Sequence, residues 1–475
     1  MEVTANIDAV AVLDASLPLN LSGDELATPL QSLAPVKRGN RIASIDVLRG
    51  FALLGILVAN IEDFAGLEGR FEIPIGVARP AFAGLHAHLN LVVLFLKWIF
   101  VEDKMRGLFA MLFGAGLVLL TNRIERNNAQ VNSADIFLRR NMWLFTLGVL
   151  HGTFLWDGDI LAEYAFNALF FLYPCRKLKA KTLFISGTIV WIGLGTFASS
   201  RAGGGFDYLL LSKQMPAITA ARKTGTDLTT DQKKIEQQWQ ALNARSALRS
   251  TTEANARAAE WRDRGYIGYV KDRGIGFVPH LGRFESAYYF ADTLGAMLVG
   301  MALFKSGFLG AELSLSTYLS TALGGILIST PLYILGLWKA YTSNFQVAVI
   351  ENWIVFPHNL AAEAGTLAIA ALLLILIKSG VPRMLLRPFA AVGQTALTNY
   401  LLTSLICQYL FLFGPLKLYG RVEYYQSLYF VLAVWFVNLV GSSLWLRAFE
   451  FGPIEWLWRS LTYWKLQPMR LRRGN

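Results

Sequence analysis

Charge is scarce in this chain. Only 16% of its 475 residues are Asp, Glu, Lys or Arg, while 54% are hydrophobic and 13 are tryptophan. Soluble domains carry about 25% charged residues, so this balance excludes an ordinary soluble globule and calls for a surface that faces lipid. Cysteine is scarcer still. Cys175 and Cys407 are the only two, both within or beside apolar runs, which leaves no disulfide framework and no zinc-type ligand spacing. No P-loop, Rossmann glycine fingerprint or metal motif occurs in credible context, and no bound metal is expected. The start of the chain lacks a basic stretch followed by an apolar core. Residues 1–40 hold acids, Pro and Ser and read as a disordered cytoplasmic tail rather than a secretory signal. The net charge of +11 does not point to nucleic acid, because most of the basic excess sits in short loops between apolar runs, where it sets orientation.

What is present is a series of long apolar runs. They predict an all-α, polytopic helical bundle with about ten crossings, near 44–62, 105–122, 140–156, 159–175, 181–199, 285–305, 315–338, 353–378, 393–414 and 426–447. Lys37, Arg38 and Arg41 precede the first run. Arg123, Arg126, Arg139 and Arg140 fill one later loop, and Arg176, Lys177, Lys179 and Lys181 fill another. Lys378, Arg383 and Arg387 form a third cluster, and Arg470, Arg472 and Arg473 end the chain. All of these clusters fall on one side only if both termini are cytoplasmic. The same bookkeeping reads 87–122 as a half-inserted or interfacial helix over 87–101 followed by one crossing. The charged stretch Glu102-Asp103-Lys104-Met105-Arg106 then lies where irregular backbone lines a wet cavity.

The chain divides into the tail 1–40, an N-terminal membrane half 41–199, a polar insert 200–284, a C-terminal membrane half 285–450 and an interfacial tail 451–475. The insert is rich in Lys, Gln, Ala and Glu from about Asp231 to Arg264, a composition that favours amphipathic helix. Topology places it outside, as a cap on the external mouth, an acceptor-binding element or a spacer. Trp456, Trp458, Tyr463 and Trp464 read as an aromatic belt at the cytoplasmic interface.

The first run, Arg41-Ile-Ala-Ser-Ile-Asp-Val-Leu-Arg-Gly-Phe-Ala-Leu-Leu-Gly-Ile-Leu-Val-Ala-Asn60, carries the most chemistry. Asp46 and Arg49 share one face at its entry, and Asn60 follows roughly 16 Å further along at 1.5 Å per residue. Ionisable groups inside a span are usually paired or line a pathway. Two clusters result. The outer one gathers Asn60, Asp63, Lys104, Arg106, His151, Asp157, Asp159 and His358. The inner one gathers Arg41, Asp46, Arg49, Arg139 and Arg140.

This first run resembles the first helix of the transmembrane acyltransferase superfamily. Leu108-Phe-Ala-Met-Leu-Phe-Gly-Ala-Gly116, His151-Gly-Thr-Phe-Leu-Trp-Asp-Gly-Asp-Ile-Leu161 and Phe451-Gly-Pro-Ile-Glu-Trp-Leu-Trp-Arg-Ser-Leu-Thr-Tyr463 extend the resemblance and narrow it to the YeiB-like family. The superfamily also holds the O-antigen acetylases and the lysosomal heparan-alpha-glucosaminide N-acetyltransferase. The resemblance implies acyl transfer from cytoplasmic acyl-CoA, with acetyl-CoA the expected co-substrate, to an extracytoplasmic hydroxyl or amine on a glycan, lipid headgroup or small molecule.

An acceptor attacking a thioester must lose a proton, and imidazole suits that task near neutrality. His151 is the sharpest candidate base, with Asp157 or Asp159 to orient its ring. The structural alternatives are a histidine bonded to a neighbouring helix and Asp159 capping the helix that follows. By resemblance Asn60 positions the acceptor or donates to a tetrahedral oxyanion. His358, and His86 or His88 in the first outer loop, are alternative bases. Asp63, Lys104 and Arg106 are candidates for acceptor binding. On the inner side Arg49, kept beside Asp46, is the leading contact for the donor's phosphates, with Arg41, Arg139 and Arg140 behind it. Asp292 and Glu363 are expected to pair with polar groups on other helices, and Gly393–Tyr400 to pack through small and amide residues. The rival reading is a transporter or permease for a small anion or metabolite, and a third is a non-catalytic membrane scaffold. A monomer and a homodimer both stay open. The acyltransferase reading requires donor and acceptor clusters to share one connected cavity.

Overall fold

The computed structural model describes residues 43–67, 85–127, 132–202, 205–245, 251–281, 287–343, 345 and 347–471. The tail 1–40, Arg41, Arg472 and Arg473 lie outside the described residues. The described chain is almost wholly helical and contains no strand, apart from one isolated bridge between Phe449 and Arg470.

In chain order the helices are α1 (Ala43–Ala65), α2 (Ala87–Phe100), α3 (Lys104–Asn127), α4 (Ser133–Phe154) and α5 (Leu161–Asn167), which runs on through a π-helical turn to Cys175. Then come α6 (Ala180–Ser200) and three helices of the insert, α7 (Gly205–Lys223), α8 (Thr230–Arg245) and α9 (Thr251–Tyr269). The C-terminal half holds α10 (Ala287–Lys305), α11 (Leu315–Thr342), α12 (Glu351–Lys378), α13 (Arg383–Gln394), α14 (Ala396–Phe413), α15 (Tyr424–Trp445) and α16 (Pro453–Tyr463).

Among the described residues, 7 helical stretches are long and apolar enough to cross a membrane. The fold is therefore a polytopic helical membrane bundle. The expected crossings at 140–156, 159–175 and 285–305 correspond to α4, α5 and α10, which do form helices but carry His151, Glu163 and Asp292 buried among their neighbours. α4 combines its buried His151 with an exposed apolar stripe that includes Met142, Leu150 and Phe154. α11 and α15 show the same kind of exposed face. Leu323 and Leu327 on α11 and Leu432 and Phe436 on α15 are exposed, the signature of a lipid-facing stripe rather than a misplaced core.

The bundle has two breaks, the first where the sequence reading places it. The stretch 87–126 is one long apolar helical path interrupted at residues 101–103, where Asp103 takes a left-handed backbone conformation (φ 53°). Aspartate is among the few side chains that tolerate this region. α2 does not lie loose at an interface. It packs between α11 and α15, with Leu94 and Trp98 in one buried cluster with Tyr333 and Leu337. The second break falls at the start of the expected run 393–414. α13 ends at Gln394, α14 starts at Ala396, and the Glu455 carboxylate from α16 caps the new start by accepting the amides of Leu397 (2.6 Å) and Thr398 (3.0 Å).

Small residues let the helices meet backbone to backbone. A Cβ on Gly50 of α1 would stand 1.9 Å from the Phe389 carbonyl, and one on Gly393 of α13 would stand 1.9 Å from the Asp46 carbonyl. The expected aromatic belt is corrected in part. Trp458 and Tyr463 turn inward and are buried, and of that group only Trp464 is largely exposed.

Candidate functional site

α4 ends one residue before Leu155, and the chain doubles back over 155–160 into α5. That reversal brings His151, on the last turn of α4, against Asp159 in the turn. His151 Nδ1 lies 2.7 Å from Asp159 Oδ2, with the two side chains 1% and 0% exposed. The other carboxylate oxygen accepts the Ala162 amide at 2.8 Å. Asp159 thus both orients the ring and caps α5, two roles that the sequence offered as alternatives. The Tyr400 ring stands 5.0 Å from the imidazole and the Trp156 ring 6.3 Å. His151 Nε2 is buried and has no hydrogen-bond partner among the described residues. With Nδ1–H directed at the carboxylate, Nε2 carries the lone pair, the form of imidazole that accepts a proton.

Asp157 serves a different contact. Its carboxylate accepts the Tyr269 hydroxyl at 2.8 Å and faces Arg273 at 3.4 Å, and its amide donates to the Tyr269 oxygen. Burial works to lower the Arg273 pKa, but Asp157 and then Asp63 outweigh it and hold the group above its ordinary value. These ties draw the end of the insert over the His151 turn, where a Cβ on Gly152 would strike the Phe277 ring at 2.3 Å. Asp63 accepts the Trp156 indole at 2.6 Å. Asn60, one turn before it and partly buried, makes no side-chain hydrogen bond among the described residues.

Lys104, Arg106 and His358 belong to a second polar set at the α2–α3 break. Lys104 is fully buried, donates to the Trp98 carbonyl at 2.9 Å, and sits 3.9 Å from the Tyr333 ring centroid. It does not reach toward headgroups. Arg106 binds Asp103 at 2.7 Å and Asp292 at 2.8 Å. His358 lies 2.5 Å from Asp103 and 3.1 Å from the Tyr333 hydroxyl. Beside them Lys97 is enclosed by Glu62 and, at 3.0 Å, Glu102, and Glu163 accepts Thr293. Sequence reasoning passed over Glu62, Lys97 and Glu163. The signal was their ionisable character inside or beside apolar runs. Glu363 accepts Thr188 at 2.7 Å, and Asn399 donates to Ser442 at 2.8 Å. His86 pairs with Glu423 at 3.1 Å, while His88 is exposed. The Asn90 amide, helped by His86, holds the Glu423 carboxyl below its ordinary value against the opposing effect of burial.

The inner cluster is assembled by the starts of α1 and α4 with α16. Arg49 pairs with Asp46 at 3.3 Å and reaches the Gly393 carbonyl at 3.5 Å. Arg139 donates to the Thr462 carbonyl at 3.3 Å, and the Arg140 guanidinium lies 3.7 Å from the Trp458 ring centroid. Between this cluster and His151, Leu53, Leu108, Leu112, Leu144 and Tyr164 belong to one buried apolar cluster. The connected cavity expected between donor and acceptor residues is replaced at this level by packed side chains.

Comparison with known proteins adds kinship without activity. The family described as "Protein of unknown function (DUF418)" matches residues 303–465. The chain is 30% identical over 455 residues to the uncharacterized protein YxaH of Bacillus subtilis (strain 168), covering 93% of this chain and 98% of that protein. It is 31% identical over 432 residues to the uncharacterized protein YeiB of Escherichia coli (strain K12), covering 89% and 96%. With near-complete overlap at this identity, the chain belongs to the family of YeiB and YxaH and carries the DUF418 region in its C-terminal half.

Proposed function

We propose that this protein is a membrane acyltransferase in which His151, oriented by Asp159, deprotonates the acceptor. The single observation that carries the reading is the buried 2.7 Å contact between Nδ1 and the carboxylate, with Nε2 left unpartnered. Nε2 takes the proton of a hydroxyl or amine as that group attacks the carbonyl of an acyl thioester. The oxyanion formed receives the Asn60 amide. The C–S bond then breaks and the departing thiolate recovers the proton from Nε2. Acyl-CoA, acetyl-CoA in the simplest case, supplies the thioester, with its phosphates near Arg49 and Arg140. The thioester also supplies the driving force, so the scheme needs no ion gradient. Because the apolar cluster between the two levels is packed, transfer requires the helices around Leu112 and Leu144 to part when donor binds.

The test is purified protein with acetyl-CoA and candidate glycans, followed by release of free thiol. His151→Ala abolishes turnover and leaves CoA affinity close to that of the parent protein. Asp159→Asn presents an amide N–H to Nδ1 and reverses the tautomer, and lowers turnover by about 10³–10⁴-fold, as in other dyads of this type. Absence of CoA binding, or full turnover by His151→Ala, sinks the proposal.

A second reading draws on the α2–α3 break. Broken helices with ionised groups at the interruption are the usual site of ion and substrate binding in transporters, and Asp103, Arg106, Asp292 and His358 fit such a site for a small anion or metabolite. Flux in proteoliposomes without thioester consumption favours this reading over acyl transfer.

A further inference from the structure

We propose that Tyr400 of α14 is the positioning residue of the His151–Asp159 pair, holding the turn that presents the carboxylate to the ring. The inference deepens the base reading above and rests on it for what the pair does. In the sequence Tyr400 closes the stretch Gly393–Tyr400, to which only packing was assigned. In the fold its hydroxyl accepts the Ile160 amide at 3.2 Å, one residue beyond Asp159. Its ring stands 5.0 Å from the imidazole. The Asp159 carboxylate is also the charged group that faces the phenol. One side chain therefore meets both the backbone beside the acid and the ring that the acid orients.

The turn itself creates the need for such a support. Residues 155–160 are not helical, so Asp159 reaches Nδ1 only while the turn keeps its course. The first part is tied through Trp156 to Asp63 and through Asp157 to Tyr269 and Arg273. Its end is met by Tyr400. α14 makes a firm mount, because Glu455 caps its start at Leu397 and Thr398, and Asn399 donates to Ser442 at 2.8 Å. Tyr400 follows directly and is 4% exposed. A buried amide N–H left without an acceptor is costly, so the turn stays where the hydroxyl meets it. A reactive pair depends on supporting residues for orientation of this accuracy. His151 lies outside residues 303–465 and Tyr400 inside them. The pair is thus held in place only when the two membrane halves are docked.

The experiment uses the full chain in detergent. Nitrogen NMR of protein labelled on its 5 histidines, with His151 assigned by its loss in His151→Gln, reads the tautomer without any substrate. Thiol release from acetyl-CoA with candidate glycans reads turnover. The parent is expected to hold His151 in the single Nδ1–H form. Tyr400→Phe keeps the ring and removes the acceptor. It is expected to give a mixture of both forms and to lower kcat about tenfold at unchanged KM for acetyl-CoA. Because Tyr400 acts through Asp159, adding Tyr400→Phe to Asp159→Asn costs nothing further. Parent-like tautomer and kcat in Tyr400→Phe overturn the assignment and leave His151 as the base. A matching loss of kcat and CoA affinity, additive with Asp159→Asn, also overturns it, since general packing gives that result. If the tautomer responds while the parent turns over no acceptor, the positioning stands and acyl transfer falls alone. Should Tyr400→Phe not fold, ring-fluorinated tyrosine at position 400 decides, because it keeps the shape and weakens the hydroxyl as an acceptor. A shifted tautomer balance upholds the role, and an unchanged one refutes it.

Discussion

Lys97 is enclosed by two carboxylates, Glu62 and Glu102, and all three side chains are less than a tenth exposed. Removing the cation while leaving the acids buried is far more damaging than never having had the set, because uncompensated charge must then be kept from water. Lys97→Met is expected to destabilise the protein by about 3–5 kcal/mol, and Lys97→Met with Glu62→Gln to recover part of that loss. Thermal unfolding in detergent, followed by tryptophan fluorescence, measures both. Equal stability of the single variant and the parent would show that the set is solvated. This group was not legible beforehand, since Glu62 and Lys97 are 35 positions apart and pair only through tertiary packing. His151 was legible, from its place near the end of an apolar run. Which aspartate it meets was not, because two candidates two residues apart in a turn differ only in the direction the turn takes.

At the scale of elements, seams and breaks matter more than apolar length. α1 and α13 meet where Gly50 and Gly393 face each other's backbones. Gly393→Ala places a methyl 1.9 Å from the Asp46 carbonyl, against backbone that cannot rotate away. The expected cost is about 1–3 kcal/mol or more, accompanied by displacement of Arg49, whose guanidinium reaches the Gly393 carbonyl. Loss of folded protein on heating reports the cost, and unchanged stability would mean that the seam opens freely. Most helix bounds follow directly from the apolar runs, as with 181–199 against Ala180–Ser200 and 426–447 against Tyr424–Trp445. The break at Thr395 did not, because its cap comes from Glu455, 58 residues beyond Leu397. No local pattern could announce a partner so distant.

For the molecule as a whole, α4, α5 and α10 turn His151, Glu163 and Asp292 inward, and the end of the insert covers the turn that holds His151. The distribution of basic loops predicts that this end faces the outside of the cell. Cysteine replacements give a direct check once Cys175 and Cys407 are changed to Ala. Thr226→Cys, exposed between α7 and α8, should react with an impermeant maleimide in intact cells, whereas Ser379→Cys, exposed after α12, should react only once cells are ruptured. The opposite labelling reverses the orientation and removes the basis for a cytoplasmic donor.

Asp159 gives one oxygen to an imidazole and the other to the first turn of a helix. Reactivity and architecture are therefore soldered at a single carbon. Deleting this acid to retune the ring also takes an acceptor from the first turn of α5.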